Sequence, residues 1–245
     1  ARHQAVILMK ETSHQRLALY LSPEHPCGYL PGESARTVFL DPQVTPQQTL
    51  YSAFAAQGFR RSGGFLYRPQ CEHCQACVPV RIPVALFHPD RTQRRIWRTN
   101  QDIDIHLRET EANPEHFALY QRYLAERHPG GGMDQHTAAD YNAFLTSRWS
   151  NTLSTELRLA GRLIGVAVVD ELDDALSAVY TYFDPALARR SLGTFAILWQ
   201  IEEARRRGLR WLYLGYWIAA SRKMAYKDRF RPFERFGPDG WQLIR

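Results

Sequence analysis

The sequence has no apolar run near the roughly 20 residues needed to cross a bilayer, which predicts no membrane association. The one early apolar patch, Ala5 to Met9 between Arg2 and Lys10, is too short for a signal-peptide core. No small-residue cleavage site follows it, so the expected location is cytoplasmic. Cysteine is scarce, with 4 in 245 residues, and a disulfide framework is not expected in that compartment. Repeats at solenoid spacing and low-complexity tracts are also absent, which removes arrays and disordered linkers from consideration.

Hydrophobic residues make up 44% and charged residues 23%, enough for one large globular domain or two small ones. Lys plus Arg exceed Asp plus Glu by 31 − 25 = 6. The excess is concentrated: Arg205 to Arg235 holds ten basic residues against Asp228 and Glu234. A second cluster is Arg91, Arg94, Arg95 and Arg98. Aromatic residues are interleaved with both, among them Trp97, Trp211, Tyr216 and Tyr226. Cations neutralise phosphates and flat rings stack on unpaired bases, so the pattern favours a nucleic-acid partner without identifying it.

Along the chain, residues 22–44 are rich in Pro and Gly and read as an ordered loop. Thr45-Pro46 predicts a helix start, closed by Gly58. Phe65 to Arg68 and Val78 to Leu86 read as strands around a cysteine-bearing turn, the second at a sheet edge because of Pro79 and Pro83. Arg91 to Asn100 reads as a helix at the junction of two halves, 1–100 and 101–245. In the second half a strand near Ile103 precedes a helix opened by Asn113-Pro114. The flexible run Pro129-Gly130-Gly131-Gly132 follows, then a helix with a Thr137/Asp140 capping box. Three strand patterns come next: Thr155 to Ala160, Leu163 to Val169 and Ala175 to Phe183, the first two joined by a hairpin at Ala160-Gly161. A helix from Leu192 to Arg207 is stopped by Gly208, and Leu209 to Gly215 forms a last strand.

Three strands, a helix and a strand in that order are the core of the GNAT acyltransferase fold. The expected class is therefore mixed α/β, with a GNAT-like C-terminal half and a smaller cysteine-bearing N-terminal half; two GNAT-like halves are the alternative. In that fold two central strands splay, and the next helix offers its N-terminus to donor phosphates. Here the corresponding loop reads Arg190-Ser191-Leu192-Gly193-Thr194-Phe195, with Phe195 where a small residue admits pyrophosphate. This argues against coenzyme A and leaves another acyl carrier open.

Cys71, Cys74 and Cys77 fall at C-x-x-C-x-x-C spacing, with Cys27 as a fourth candidate. The readings are a zinc or iron–sulfur site, free thiols lining a pocket or sensing redox state, and small apolar packing residues.

Several long motifs carry a resemblance. They are CGYLPG at 27–32, GFRRSGGFLYRPQCEHCQACVPVRIPV at 58–84, RTQRR at 91–95, YFDPALARRSLGTFAI at 182–197 and LYLGYWIAASRKMAYKDRFRPFE at 212–234. By these the chain resembles the arginyl-tRNA–protein transferase family, in particular its bacterial aspartate/glutamate leucyltransferase branch. The family's eukaryotic members often carry Cys-Gly-Tyr-Cys in the first motif, and Leu30 stands at the second cysteine's position here. The resemblance implies an aminoacyl-tRNA donor, acceptor proteins with N-terminal Asp or Glu, and products marked for N-end-rule degradation. An aminoacyl ester is already activated, so no cofactor is required for transfer.

For such a reaction the catalytic candidates are Asp184, Tyr180 and Tyr182 at the end of one splayed strand, with Glu126 and His128 as alternative proton acceptors. Tyr216, Lys223, Tyr226 and Lys227, with Arg94 and Arg95, are candidates to meet tRNA. Arg60, Arg61 and Arg81 offer the guanidinium fork that suits an acceptor carboxylate. The competing functions are arginyl transfer to the same acceptors, coenzyme A-dependent N-acylation, and a non-catalytic, metal-stabilised RNA-binding module.

Overall fold

A computed structural model describes residues 4–5, 17–127 and 136–245. Most of the N-terminal apolar patch, His128 and the loop Pro129–Gly132 lie outside the described residues.

The N-terminal part builds a five-stranded antiparallel sheet from β1 (Gln4–Ala5), β2 (Leu19–Leu21), β5 (Thr37–Leu40), β6 (Arg60–Ser62) and β7 (Phe65–Pro69) in the order β1-β2-β5-β7-β6. The short ladder β3 (His25–Pro26) and β4 (Ser34–Ala35) stands apart. The stretch 22–44, read as loop, thus contains β3, β4 and β5, and Val38 and Leu40 of β5 are buried in a core with Leu19, Tyr51, Phe54 and Leu66. Helix α1 (Gln48–Ala56) begins at cap Gln47, two residues beyond the predicted Thr45, without a side-chain cap. Its start is set by burial of Tyr51, Phe54 and Ala55 rather than by capping chemistry. Gly58 ends the connection at φ +82°, and a Cβ there would meet Cγ of Pro79 at 2.8 Å, so glycine answers both a left-handed turn and a close approach.

The larger sheet has eight strands in the order β15-β14-β8-β13-β12-β11-β10-β9. They are β8 (Val78–Pro83), β9 (Ile103–Glu109), β10 (Thr152–Leu159), β11 (Arg162–Glu171), β12 (Ala175–Phe183), β13 (Trp211–Trp217), β14 (Phe233–Gly237) and β15 (Gly240–Ile244). The edge expected for β8 is not observed, since it lies between β14 and β13. Its two prolines are tolerated because β14 pairs only with Val80 and Arg81, between them. The terminal β14–β15 hairpin was not foreseen, although Gly237-Pro238-Asp239-Gly240 is a turn signal.

Four further α-helices are α2 (Arg91–Thr99), α3 (Pro114–Arg127), α4 (Ala138–Leu145) and α5 (Leu192–Arg206). Asp90 and Gln93 form a capping box on α2, and Thr137 and Asp140 form one on α4. Asn113 accepts the backbone N–H of Glu115 at the start of α3. The β10–β11 turn uses Ala160 at φ 49° and Gly161 at φ 80°, the left-handed pair that a tight hairpin requires. Helix α5 packs Ile197, Leu198 and Ile201 against Val80 and Ile82 of β8 and Leu212 and Leu214 of β13. At about 1.5–3 kcal/mol for each fully buried aliphatic side chain, this layer fixes β8 and β13 side by side. The opposite face of β11 and β12 is covered by α3 and α4 through Leu119, Leu124, Tyr141 and Leu145. The molecule is mixed α/β, and no described helix is long and apolar enough to cross a membrane.

Candidate functional site

The central strands β12 and β13 run parallel but pair over only three positions, Ala175↔Trp211 to Ser177↔Tyr213. Beyond them each strand keeps its outer partner. β12 stays on β11 as far as Phe183, and β13 stays on β8 as far as Trp217. A wedge therefore opens between 178–183 and 214–217. Both strands slip register where they part, β12 around Val179 and β13 around Leu214. Extra residues bend a strand and leave its backbone groups unpaired. Gly215 takes φ +82° at this point, a conformation that side-chain-bearing residues rarely adopt.

One of the freed carbonyls, that of Ala178, accepts a hydrogen bond from Nη2 of Arg60, which reaches across from β6 of the other sheet. Nε and Nη2 of Arg60 lie 3.6 Å from where a Cβ of Gly215 would stand, and Nζ of Lys227 lies 3.5 Å from the same point. Lys227 donates to the Tyr216 carbonyl at 2.8 Å. Both cationic residues are buried. Burial and the neighbouring Arg60 guanidinium push the Lys227 ammonium down to about 7, opposed by Cys77. Tyr216 lies beneath them, buried, its hydroxyl donating to the Gly58 carbonyl at 3.0 Å.

The α3 side of the wedge is aromatic. Tyr180 stands edge-on to Tyr120 at 6.0 Å and to Phe144 at 5.3 Å, and burial raises its hydroxyl pKa. Tyr226 comes from the short 3-10 helix Ala225–Arg229 and is 38% exposed; desolvation and the neighbouring Tyr123 push its hydroxyl up to about 12. Tyr182 is fully buried and exchanges a 2.6 Å hydrogen bond with the hydroxyl of Tyr141. At the end of β12, Asp184 accepts from Arg162 at 2.8 Å and from the backbone N–H of Ala186 at 3.1 Å. Asp184 and Glu126 line one surface depression with Arg122.

The remaining candidates are dispersed. Arg61 forms a fully buried ion pair with Asp170. Arg81 is held by Glu234 at 2.7 Å between the rings of Trp211 and Trp241, at 3.7 and 4.1 Å. Arg94 and Arg95 are exposed on α2 beside Arg91 and Arg98, and Lys223 is exposed between β13 and the 3-10 helix Ala225–Arg229. Arg190 is engaged by Asp102 through two hydrogen bonds of 2.7 and 2.8 Å. Phe195 is buried against Trp97 with ring centres 5.5 Å apart. The loop that would hold pyrophosphate in a coenzyme A enzyme is thus filled by an ion pair and an aromatic ring.

Burial and the neighbouring thiols of Cys27, Cys71 and Cys74 push the Cys77 thiol up to about 12. The four cysteines therefore lie in one region. Among the described residues, however, no group of three or more His, Cys, Asp or Glu side chains is arranged to hold a metal ion, so these residues do not fit one as placed. Sequence reasoning missed Asp170 and Arg162. The signal available for Asp170 was a lone acid ending an apolar run, GVAVVD.

Two family models match the chain: "Arginine-tRNA-protein transferase, N terminus" over residues 25–95 and "Arginine-tRNA-protein transferase, C terminus" over 115–237. Among curated relatives, an aspartate/glutamate leucyltransferase of Nitrosococcus oceani is 48% identical, covering 96% of this chain and 99% of its own length. Another of that name from Stenotrophomonas maltophilia is 51% identical over 92% of each chain. Among solved structures, L-PGS from Bacillus licheniformis aligns with 68% of this chain and 49% of its own at a TM-score of 0.45 and 9% identity, too distant to carry an argument.

Proposed function

The chain belongs to the arginine-tRNA–protein transferase family, and from that premise we propose that it moves leucine from leucyl-tRNA to the N-terminal amine of proteins beginning with Asp or Glu. The observation that carries the reading is the near full-length identity of about half with relatives named for that activity. Arginyl transfer to the same acceptors is the second reading, favoured only by the family's name.

The wedge supports acyl transfer of the GNAT type, with the aminoacyl end of the tRNA entering between β12 and β13; the division expected at residue 100 does not coincide with the sheets, since β8 lies between β14 and β13. In the proposed reaction the neutral acceptor amine attacks the ester carbonyl. A C–N bond forms, the ester C–O bond breaks, and the amine proton ends on the ribose oxygen that leaves. Holding amine and ester together in a site shielded from water supplies much of the acceleration. Tyr180 and Tyr226 give an apolar, ring-lined wall suited to a leucyl side chain or the terminal adenine. Asp184, at the end of β12 and lining one depression with Glu126, is proposed to receive or relay the amine proton. The exposed arginines of α2, with Lys223, would meet tRNA phosphates. A reaction that draws on leucyl-tRNA would take place in the cytoplasm, which is part of the proposal.

The test is a transfer assay with radiolabelled leucyl- and arginyl-tRNA and peptides that begin with Asp, Glu, Lys or Arg. Incorporation of leucine into the Asp and Glu peptides alone is the expected result. Arginine in its place would select the second reading, and no transfer from either tRNA would remove both.

A further inference from the structure

Burying a cation without a counter-charge is costly, so charged side chains in protein interiors are paired almost without exception. This chain follows the rule at Arg61 with Asp170 and at Arg81 with Glu234. Among the described residues it breaks the rule at Arg60 and Lys227. Arg60 and Lys227 are 8% and 7% exposed, neither has an ion-pair partner among the described residues, and both approach the same point above Gly215. Their partners are neutral: the Ala178 and Tyr216 carbonyls and, more weakly, the Met224 sulfur. Nη1 of Arg60 is buried with no hydrogen-bond partner among the described residues.

We propose that Arg60 and Lys227 form an anion subsite at the root of the wedge that receives the side-chain carboxylate of the acceptor's N-terminal residue. The proposal rests on the transfer reaction above for its choice of ligand, and on the geometry for the site. Two like charges side by side at the bulges of β12 and β13 repel in the free protein, and a carboxylate between them removes that repulsion. The fork of Arg60 spends Nη2 on Ala178, which fixes the guanidinium plane and leaves Nε, on the side that faces Nζ of Lys227, to donate to the ligand. Gly215 matters twice. It allows the φ of +82°, and its missing Cβ keeps the space between the two cations clear. A site built to pair a carboxylate leaves buried donors unsatisfied when the ligand is an amide, which gives discrimination between Asp and Asn. Arg61 and Arg81 already have carboxylates and are left out of this role. A phosphate near the tRNA 3′ end shares the anionic chemistry and is the other source of charge that the test must separate.

The test is direct binding of pentapeptides with free N-termini, beginning Asp, Glu or Asn, to the whole protein without tRNA. It compares wild type with Arg60→Gln, Arg60→Lys and Lys227→Met, and measures deacylated tRNA affinity for each in parallel. Wild type is expected to bind the Asp and Glu peptides at least about tenfold more tightly than the Asn peptide. Arg60→Gln and Lys227→Met should collapse that ratio toward one while tRNA affinity stays within about twofold, and Arg60→Lys should keep part of it. An unchanged Asp-to-Asn ratio in both neutral variants, or no such ratio in wild type, overturns the subsite. Loss of tRNA affinity with the peptide ratio intact gives the cations to phosphate and also overturns it. Should a variant fail to fold, the Arg60 NεH resonance of wild type serves instead. It should shift with the Asp peptide and not with the Asn peptide, and an equal response to both counts against the site. Selective peptide binding without leucine transfer would leave the subsite standing and remove the proposed reaction. Transfer with an unmoved ratio in the variants would do the reverse.

Discussion

Arg61 of β6 and Asp170 of β11 meet in a two-point ion pair, Nε to Oδ2 at 2.7 Å and Nη2 to Oδ1 at 2.8 Å, with neither side chain reaching solvent. The pair joins the five-stranded sheet to the eight-stranded one. Tyr51 of α1 and Thr152 of β10 each donate a further 2.7 Å bond to the same carboxylate. Every acceptor position of Asp170 is engaged, as a buried charge requires. Asp170→Asn strands the guanidinium and is expected to cost about 3–5 kcal/mol of unfolding free energy, measured by urea denaturation. A loss under about 1 kcal/mol would show that the two sheets do not depend on this contact.

A second buried carboxylate makes stability sensitive to acid. Burial alone would raise the pKa of Glu156, but hydrogen bonds from Arg158 and His116, reinforced by their charges, outweigh it and hold Glu156 at about 2. The folded value lies below the unfolded one, near 4.5. The stabilisation is therefore complete above the unfolded value and is lost as pH falls toward the folded one. Between pH 6 and pH 3 this group alone should remove about 2 kcal/mol of unfolding free energy. Glu156→Gln should reduce the pH dependence by that amount, read from urea midpoints at both pH values.

The parts of the fold legible in the sequence are those set by local chemistry. Capping residues placed α3 and α4, the Ala160-Gly161 turn placed the β10–β11 hairpin, and a strand-like run placed β12. The errors arose where distant contacts decide. Thr45 is a good cap by type, yet α1 starts where Tyr51 and Phe54 find their core. The prolines of β8 imply an edge to any local reading, and only the two-residue reach of β14 explains its interior position. In the site, Gly215 within LYLGYW was a readable sign of a bulge. Which of Arg60, Arg61 and Arg81 lacks a partner was not readable, because Asp170 and Glu234 are more than a hundred residues away in sequence.

Asp184 carries two structural bonds, to Arg162 and to the N–H of Ala186, and a proposed chemical task. Asn at this position can still accept from Ala186, so Asp184→Asn should keep the fold while losing the charge. We expect kcat for leucine transfer to fall by about 100-fold with leucyl-tRNA affinity unchanged. Wild-type turnover would reduce Asp184 to a turn-former.

Arg91, Arg94, Arg95 and Arg98 are all exposed on a single helix. Arg94 donates to the Pro89 carbonyl at 2.6 Å and Arg98 to that of Arg94 at 3.4 Å, so none of the four is tied down by an acidic partner among the described residues. Four guanidinium groups spaced over about two turns of helix match a phosphate backbone better than any protein feature nearby. Each phosphate they neutralise releases counterions, so each contact adds to the salt dependence of binding. Replacing Arg94 and Arg95 with Ala is expected to weaken tRNA binding at low salt and to lower the slope of log K against log salt by about 1–2. The peptide affinity measured without tRNA should not move. The Lys223→Ala change should behave in the same way with a smaller effect, whereas Lys227→Met should leave the slope intact because that ammonium is buried. A slope that falls with Lys227→Met and holds with the α2 variants would place the tRNA backbone over the wedge rather than along α2.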